Sequence, residues 1–379
     1  MSGPASETER ETITTYELLE RSARAALDLQ REDGSFPPGR NGIYDESETP
    51  VRTTAKWLIT LAKVYEYTGD EAFRSTANHT ADYLLSDEAR PHQYTFHSRR
   101  TEQKDQCDGL VGQAHPIRAL AIGGQLLDRT DMLDIATDVF LQHPFHDRIG
   151  LWERVEIDGN TLSFDRTMNH QLLFAGAGSY LSHWSEDVAA KVRRFLNRLN
   201  RNLRIRKDGT IRHYVRPPLS ATLRTVLSTP RHHELLRNEL AHHVYSYSEQ
   251  MRRKEIDYQP VNLLGLAWIK RNLPDHEFFT DETLEIPIKD LFCEDIRQRV
   301  LSEEHTFGSK LPGIVLAICH QQLLNNTCAE VQEWIQQDIR SAYDPSTGLF
   351  DAVETDPVGT AADICYLVDL IGMDVRLSV

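Results

Sequence analysis

Cysteine is scarce in this chain and never paired. Cys107, Cys293, Cys319, Cys328 and Cys365 are scattered through 379 residues with no Cys-x-x-Cys. That pattern argues against a disulfide framework or a zinc ribbon and suits a reducing compartment. Lysine is also scarce, nine residues against 33 arginines, and the formal net charge is −15. Without a basic tract to neutralise phosphates, nucleic acid is not an expected partner. No apolar run approaches the roughly 20 residues of a membrane span. Met1 to Thr12 is polar and acidic, with neither the basic nor the apolar region of a signal peptide, so it is expected to be a disordered tail on a cytoplasmic protein. There is no Gly-x-x-x-x-Gly-Lys-Ser/Thr, no strand-linked Gly-x-Gly-x-x-Gly and no Gly-x-Ser-x-Gly, so no nucleotide cofactor and no serine-elbow chemistry is expected. Cys107 and His115 lack the second ligand pair of a tetrahedral site, and no metal is expected.

What is present is a period. Asp108-Gly109, Asp158-Gly159 and Asp208-Gly209 recur at fifty-residue steps. Asp33-Gly34-Ser35-Phe36 is an earlier copy, Asp257-Tyr258 takes the next slot without its glycine, and His305-Thr306-Phe307-Gly308 the one after. A period of this size signals one copied supersecondary unit, and its length fits a helical hairpin. Thr14 or Thr15 can cap a first helix reaching about Gln30, a second runs from about Val51 to Tyr67 before Gly69, and a third spans about Glu71 to Leu85. Residues 86–107 are polar and leave the repeat. Strongly apolar helices are expected from near Gln113, Arg166, Gln259, Lys310 and Val358. Between them lie amphipathic ones such as Val188 to Asn200 and Ala329 to Ala342. Trp152 to Ile157 and Thr210 to Val215 are expected as short hairpin arms.

A helix apolar all round must be covered on both sides, whereas an amphipathic one keeps a wet face. Alternation of the two predicts concentric layers, an all-α (α/α)6 toroid of about six hairpins built as a single domain over residues 13–379. An open solenoid is the alternative. In such a ring the inner helices start on one rim, where their dipoles and preceding loops converge. Polar residues collect there: Arg52 before one inner helix; Asp108, Gln113 and His115 at the next; Trp152, Asp165, Arg166, Asn169, His170 and Gln171 at the third; Gln259 and Asn262 later. His305, Lys310, Asp356 and Asp363 follow. Asp158 and Asp208 read as structural punctuation, His232-His233 and His242-His243 as solvated, and His143 and His146 as rim candidates.

An acidic funnel with aromatic, His, Arg and Asn side chains suits a sugar. The leading reading is a glycoside hydrolase, with Asp108 and Asp165 as acid and base on a glycosidic bond. His115 and His170 can instead move protons at a ring carbon, as an isomerase or epimerase requires. A non-catalytic glycan-binding or assembly protein is a third reading. A terpene-cyclase toroid lacks its Asp-rich motif here.

Asp108-Gly109 and Asp165, at the starts of neighbouring inner helices, resemble the paired aspartates of the unsaturated glucuronyl hydrolases. Those enzymes are six-hairpin toroids whose aspartates protonate an enol ether and activate water. The N-acylglucosamine epimerases share the toroid. In length, acidity and repeat the chain also resembles the sugar-processing Q family of the haloarchaeal N-glycosylation cluster, and acidic excess with scarce lysine is similar to the composition of salt-loving archaea. This resemblance implies a hexuronic acid on a lipid or nucleotide carrier, handled on the cytosolic side, with Arg166 or Arg52 for its carboxylate.

Overall fold

The computed structural model describes residues 12–41, 44–237, 247–280, 292, 297–299, 301–302, 308, 310–325, 329–370 and 376–378. His242, His243, His305 and the tail before Thr12 lie outside them. Thr12 itself, expected in the tail, belongs to a strand.

The first half of the chain alternates outer and inner helices: α1 (Thr15–Ala26), α2 (Val51–Thr68), α3 (Glu71–Leu85), α4 (Gly109–Leu126), α5 (Thr130–Gln142), α6 (Met168–Ser179) and α7 (Glu186–Asn202). Helices Gln259–Asn272 and Pro312–Leu324, and the short helix Pro357–Ala362 continued by a 3-10 turn to Asp369, complete an inner set of six. Each inner element packs on the next, α2 on α4, α4 on α6, α6 on Gln259–Asn272, then Pro312–Leu324, then 363–369, which returns to α2. The ring is closed, an (α/α)6 toroid rather than a solenoid. Strand Thr12–Thr14 pairs antiparallel with Arg376–Ser378 and joins the two ends of the described chain.

Local chemistry accounts for the layers. In α7 the buried positions Val188, Ala189, Val192, Phe195, Leu196 and Leu199 form one stripe, and Ser185 caps the first turn. Thr14 and Glu17 make a reciprocal capping box on α1, and left-handed Gly69 ends α2. By contrast α6 is buried at every position except His170. Inner helices approach closely where side chains vanish: a Cβ at Gly265 would fall 2.6 Å from the Leu172 backbone.

The recurring Asp-Gly turns share one device. The Oδ1 of Asp33, Asp158 and Asp208 accepts the N–H two residues on, from Ser35 (2.9 Å), Asn160 (3.0 Å) and Thr210 (3.2 Å), and the glycine between has φ of 85–87°. Asp108 departs from the pattern, with both it and Gly109 in the left-handed region at the start of α4. The expected arm at 152–157 is the strand Leu151–Val155, paired with Phe145–His146 and Thr161–Phe164. The arm expected at 210–215 makes only the single bridges Ile205–Ile211 and Thr167–Tyr214. Among the described residues, no helix is long and apolar enough to cross a membrane.

Candidate active site at the inner-helix rim

First turns of all six inner elements, with the loops before them, surround one funnel. Its inner chamber, about 290 Å³, is lined from α2 by Arg52 and Lys56, from α4 by Asp108 and His115, and from α6 by Asn169 and His170. His213, Tyr258, Lys310, Asp356, Asp363 and Tyr366 complete the wall. A rim cavity of about 370 Å³, lined by Arg154, Asp165, Arg166, His232 and Leu235 among others, adjoins it. Arg99, Asp108, Thr167, His170 and Tyr214 face both spaces.

Asp108 is held between two arginines. Arg52 pairs with its Oδ2 and Arg99 with its Oδ1. Arg52 also reaches Glu48 at 2.8 Å, and Arg99 reaches Asp105 at 3.0 Å. Asp105 in turn binds Arg154 at 2.5 Å. Burial pushes the Glu48 carboxyl up, against the pull of Arg52 and Lys56. Arg52, a candidate for a substrate carboxylate, thus spends both terminal nitrogens on protein carboxylates.

Asp165 sits before α6 and orients His170. His170 Nδ1 lies 2.9 Å from Asp165 Oδ2. The Leu110 N–H donates to the same oxygen at 3.2 Å, and the Thr167 N–H donates to Oδ1 at 3.0 Å. Burial works against this charge, but His170, these N–H groups and Arg154 hold the carboxyl well below the usual range. An ionised carboxylate only accepts, so Nδ1 carries a hydrogen and Nε2 is the ring nitrogen left for another partner. A Cβ at Gly109 would fall 2.8 Å from Asp165 Oδ2, so the left-handed turn at Asp108-Gly109 also makes room for this pair.

Deeper in, burial drives His115 well below its ordinary pKa, helped by Arg52, Lys56 and Arg118, so its ring is neutral. His213 is shifted down in the same way, by burial and then Lys254. Burial opposes the charge on Lys56, but its ion pair with Asp363 outweighs that and keeps the amine protonated. Asn169 is 2% exposed, and its Oδ1 has no hydrogen-bond partner among the described residues.

Other expected site residues have different jobs. Gln113 accepts the Phe96 N–H at 2.7 Å and donates to Phe96 O and Cys107 O. Gln171 accepts the Trp152 N–H at 3.1 Å and donates to Trp152 O and Asp165 O. Gln259 accepts the Ile211 N–H at 3.0 Å and donates to Gly209 O. The three glutamines are therefore staples, pinning the segment before an inner helix to that helix. Trp152 is fully buried among Phe140, Phe145, Phe174 and Phe195 and does not line the funnel. Asn262 is buried and does not line the chamber. Arg166 lines the rim cavity and donates twice to Val215 O at 3.2 Å.

The sequence reading missed Arg99, Arg154, Lys56, His213, Tyr214, Tyr258 and Tyr366. Two of these carried a signal: Lys56 lies one turn beyond Arg52 on the same face of α2, and Tyr258 replaces the glycine of the repeated turn. His232, expected to be solvated, is 4% exposed and faces Glu153. Its segment, Pro230–His233, is a 3-10 turn folded onto the hairpin rather than an outer-layer helix.

No family model matches the chain. Cellobiose 2-epimerase from Bacillus thermoamylovorans superposes with a TM-score of 0.60 at 9% identity, over 93% of this chain and 97% of that one. An unsaturated glucuronyl hydrolase specific for heparin gives 0.55 at 13% identity over 94% of each chain. At such identities these likenesses speak for the fold alone. Archaeal glycosylation protein Q of Haloferax volcanii is 37% identical over 337 residues, 88% of this chain and 91% of that protein. The chain belongs to the archaeal glycosylation protein Q family.

Proposed function

We propose that the protein is a sugar isomerase or epimerase that moves a proton between His170, His115 and a carbon next to a sugar carbonyl. The observation that carries this reading is α6: enclosed at every position but one, it offers the funnel His170, with Asp165 fixing its tautomer. In the open-chain sugar His170 Nε2 removes the proton, giving an enediolate. Return of a proton to the other face of the same carbon epimerises it, and return to the neighbouring carbon isomerises it. His115, on the adjoining inner helix, faces the same chamber and is assigned the second transfer: it takes a proton from solvent beside the enediolate's negative charge and passes it to carbon. Protonated Lys56 lines the chamber and, beyond its pair with Asp363, keeps N–H donors for the enediolate oxygen. Arg154 and Arg166 at the rim suit a hexuronate carboxylate.

The relative's name places it in glycosylation, and we extend that role to this chain: a hexuronic acid-containing glycan or precursor handled in the cytosol while its anomeric carbon is free of a lipid or nucleotide carrier, because only a free anomeric carbon lets the ring open to a carbonyl. Incubation with uronic acid-containing precursors in D2O tests the chemistry. Solvent deuterium at the carbon beside the carbonyl is the expected result, and release of a new reducing end without exchange contradicts it. Hydrolysis by Asp108 and Asp165 is the second reading, favoured by both carboxylates lining the rim cavity. Against it, Asp108 lies between two arginines and Asp165 is held ionised, so neither is set to carry the proton that a general acid must donate.

A further inference from the structure

We propose that His146, Glu153 and His232 bind one divalent transition-metal ion of the zinc class at the outer edge of the rim cavity. The three side chains come from three separate places. His146 is on the strand Phe145–His146, Glu153 on its partner Leu151–Val155, and His232 on the 3-10 turn Pro230–His233. His146 Nε2 lies 3.1 Å from Glu153 Oε2, and His232 Nδ1 lies 3.3 Å from Glu153 Oε1. The donor atoms of all three lie within 4.8 Å of one another. Ligands about 2.0–2.1 Å from a tetrahedral ion stand roughly 3.4 Å apart, a spacing that His146 and His232 each already show to one oxygen of the carboxylate. With a single oxygen as ligand, the separations that remain, none above 4.8 Å, close toward that value on binding.

The donor set is also apt. Two imidazoles and one carboxylate form the open His2Glu set, which leaves a position for water or a ligand. The surroundings hold the donors in place: His143 Nδ1 lies 3.0 Å from the Glu153 carbonyl oxygen, and the Phe164 ring packs at 4.8 Å against both His146 and His232. Glu153 is 1% exposed and His232 4%. Because His232, Glu234 and Leu235 line the rim cavity, a bound ion would fasten one cavity wall to the hairpin. Spacings of seven and 79 residues between the ligands form no compact motif, which hid the site from a linear reading.

The test needs no substrate and is independent of the proton-transfer reading. Full-length protein without a polyhistidine tag is stripped with EDTA, titrated with Zn²⁺ by calorimetry and with Co²⁺ by visible absorption, and assayed for metal after desalting. The expected result is one equivalent of Zn²⁺, d–d bands from Co²⁺, and a higher melting temperature with Zn²⁺. Glu153→Gln and His232→Ala should each weaken binding by about tenfold or more. Absence of stoichiometric binding to the wild-type protein, or unchanged affinity in a folded His146→Ala/His232→Ala variant, overturns the proposal.

Discussion

Asp369 ties the floor of the barrel together, and its removal should cost the ring dearly. Its carboxylate accepts from Arg118 at 2.5 Å, Trp268 Nε1 at 2.7 Å, the Tyr180 hydroxyl at 3.1 Å and Arg271 at 3.3 Å. Those donors come from α4, the Gln259–Asn272 helix and the end of α6, while Asp369 belongs to the last inner element. Arg118 is 2% exposed and stacks over the Trp268 ring at 4.3 Å. Asp369→Ala strands a buried guanidinium, which costs about 3–5 kcal/mol. At about 2.1 cal/mol/K per residue, 379 residues give an unfolding entropy of about 0.8 kcal/mol/K, so the midpoint should fall by about 4–6 °C. Calorimetry on the variant measures this. Pairing Asp369→Leu with Arg118→Met should recover part of the loss, because the buried guanidinium goes with the carboxylate and the half-exposed Arg271 can turn to water, although Trp268 and Tyr180 still lose an acceptor. A fall under about 1 °C for Asp369→Ala, or no recovery in the pair, would refute the reasoning.

Three further outcomes are expected. Burial raises the Asp338 carboxyl to about 8, against N–H donation from Ile314 and Gly313. Its folded value therefore lies above the unfolded one near 3.9, so folding favours the protonated form, and its contribution to stability is full below about pH 4 and is lost as pH rises through 8. Asp338→Asn should flatten denaturation midpoints between pH 5 and 9, and an unchanged slope contradicts the assignment. Gln171→Ala takes the amide partner from the Trp152 N–H and the Asp165 carbonyl, while the Trp152 carbonyl keeps the Asp165 N–H, and should cost about 1–3 kcal/mol in urea unfolding; a neutral result would deny the staple. Asp165→Asn frees the His170 tautomer and should lower kcat by about 10²–10⁴ with little change in KM, whereas an equal rise in KM alone would make Asp165 a binding residue.

The ring was legible because its signal is collective. Alternating all-apolar and amphipathic helices admit few arrangements, and inner-helix starts expected near Gln113, Arg166, Lys310 and Val358 lie within four residues of Gly109, Met168, Pro312 and Pro357. Asp165 and His170 were each legible because polar residues crowd at one helix start; their bond to each other was not, since the sequence pairs Asp165 with Asp108 and His170 with His115. The glutamines were misassigned for a physical reason: an amide bound to backbone and one facing a ligand look the same in sequence. Their partners Phe96, Trp152 and Ile211 lie 17 to 48 residues away. Trp152 was misplaced likewise, since only the packed sheet shows which face of the hairpin turns inward. Arg99 lies in the excursion at 86–107 and His213 in the irregular segment at 205–215, where no periodicity says which side chains return to the funnel.

The most direct measurement follows solvent deuterium into the sugar, by NMR or mass, for the wild-type protein and for His170→Asn, His115→Asn and Asp108→Asn side by side. The two-histidine account expects exchange and product in the wild type, loss of both in His170→Asn, exchange into the substrate without product in His115→Asn, and measurable exchange in Asp108→Asn. Full exchange in His170→Asn, or turnover that depends on Asp108 and Asp165 and releases a reducing end without exchange, would contradict it.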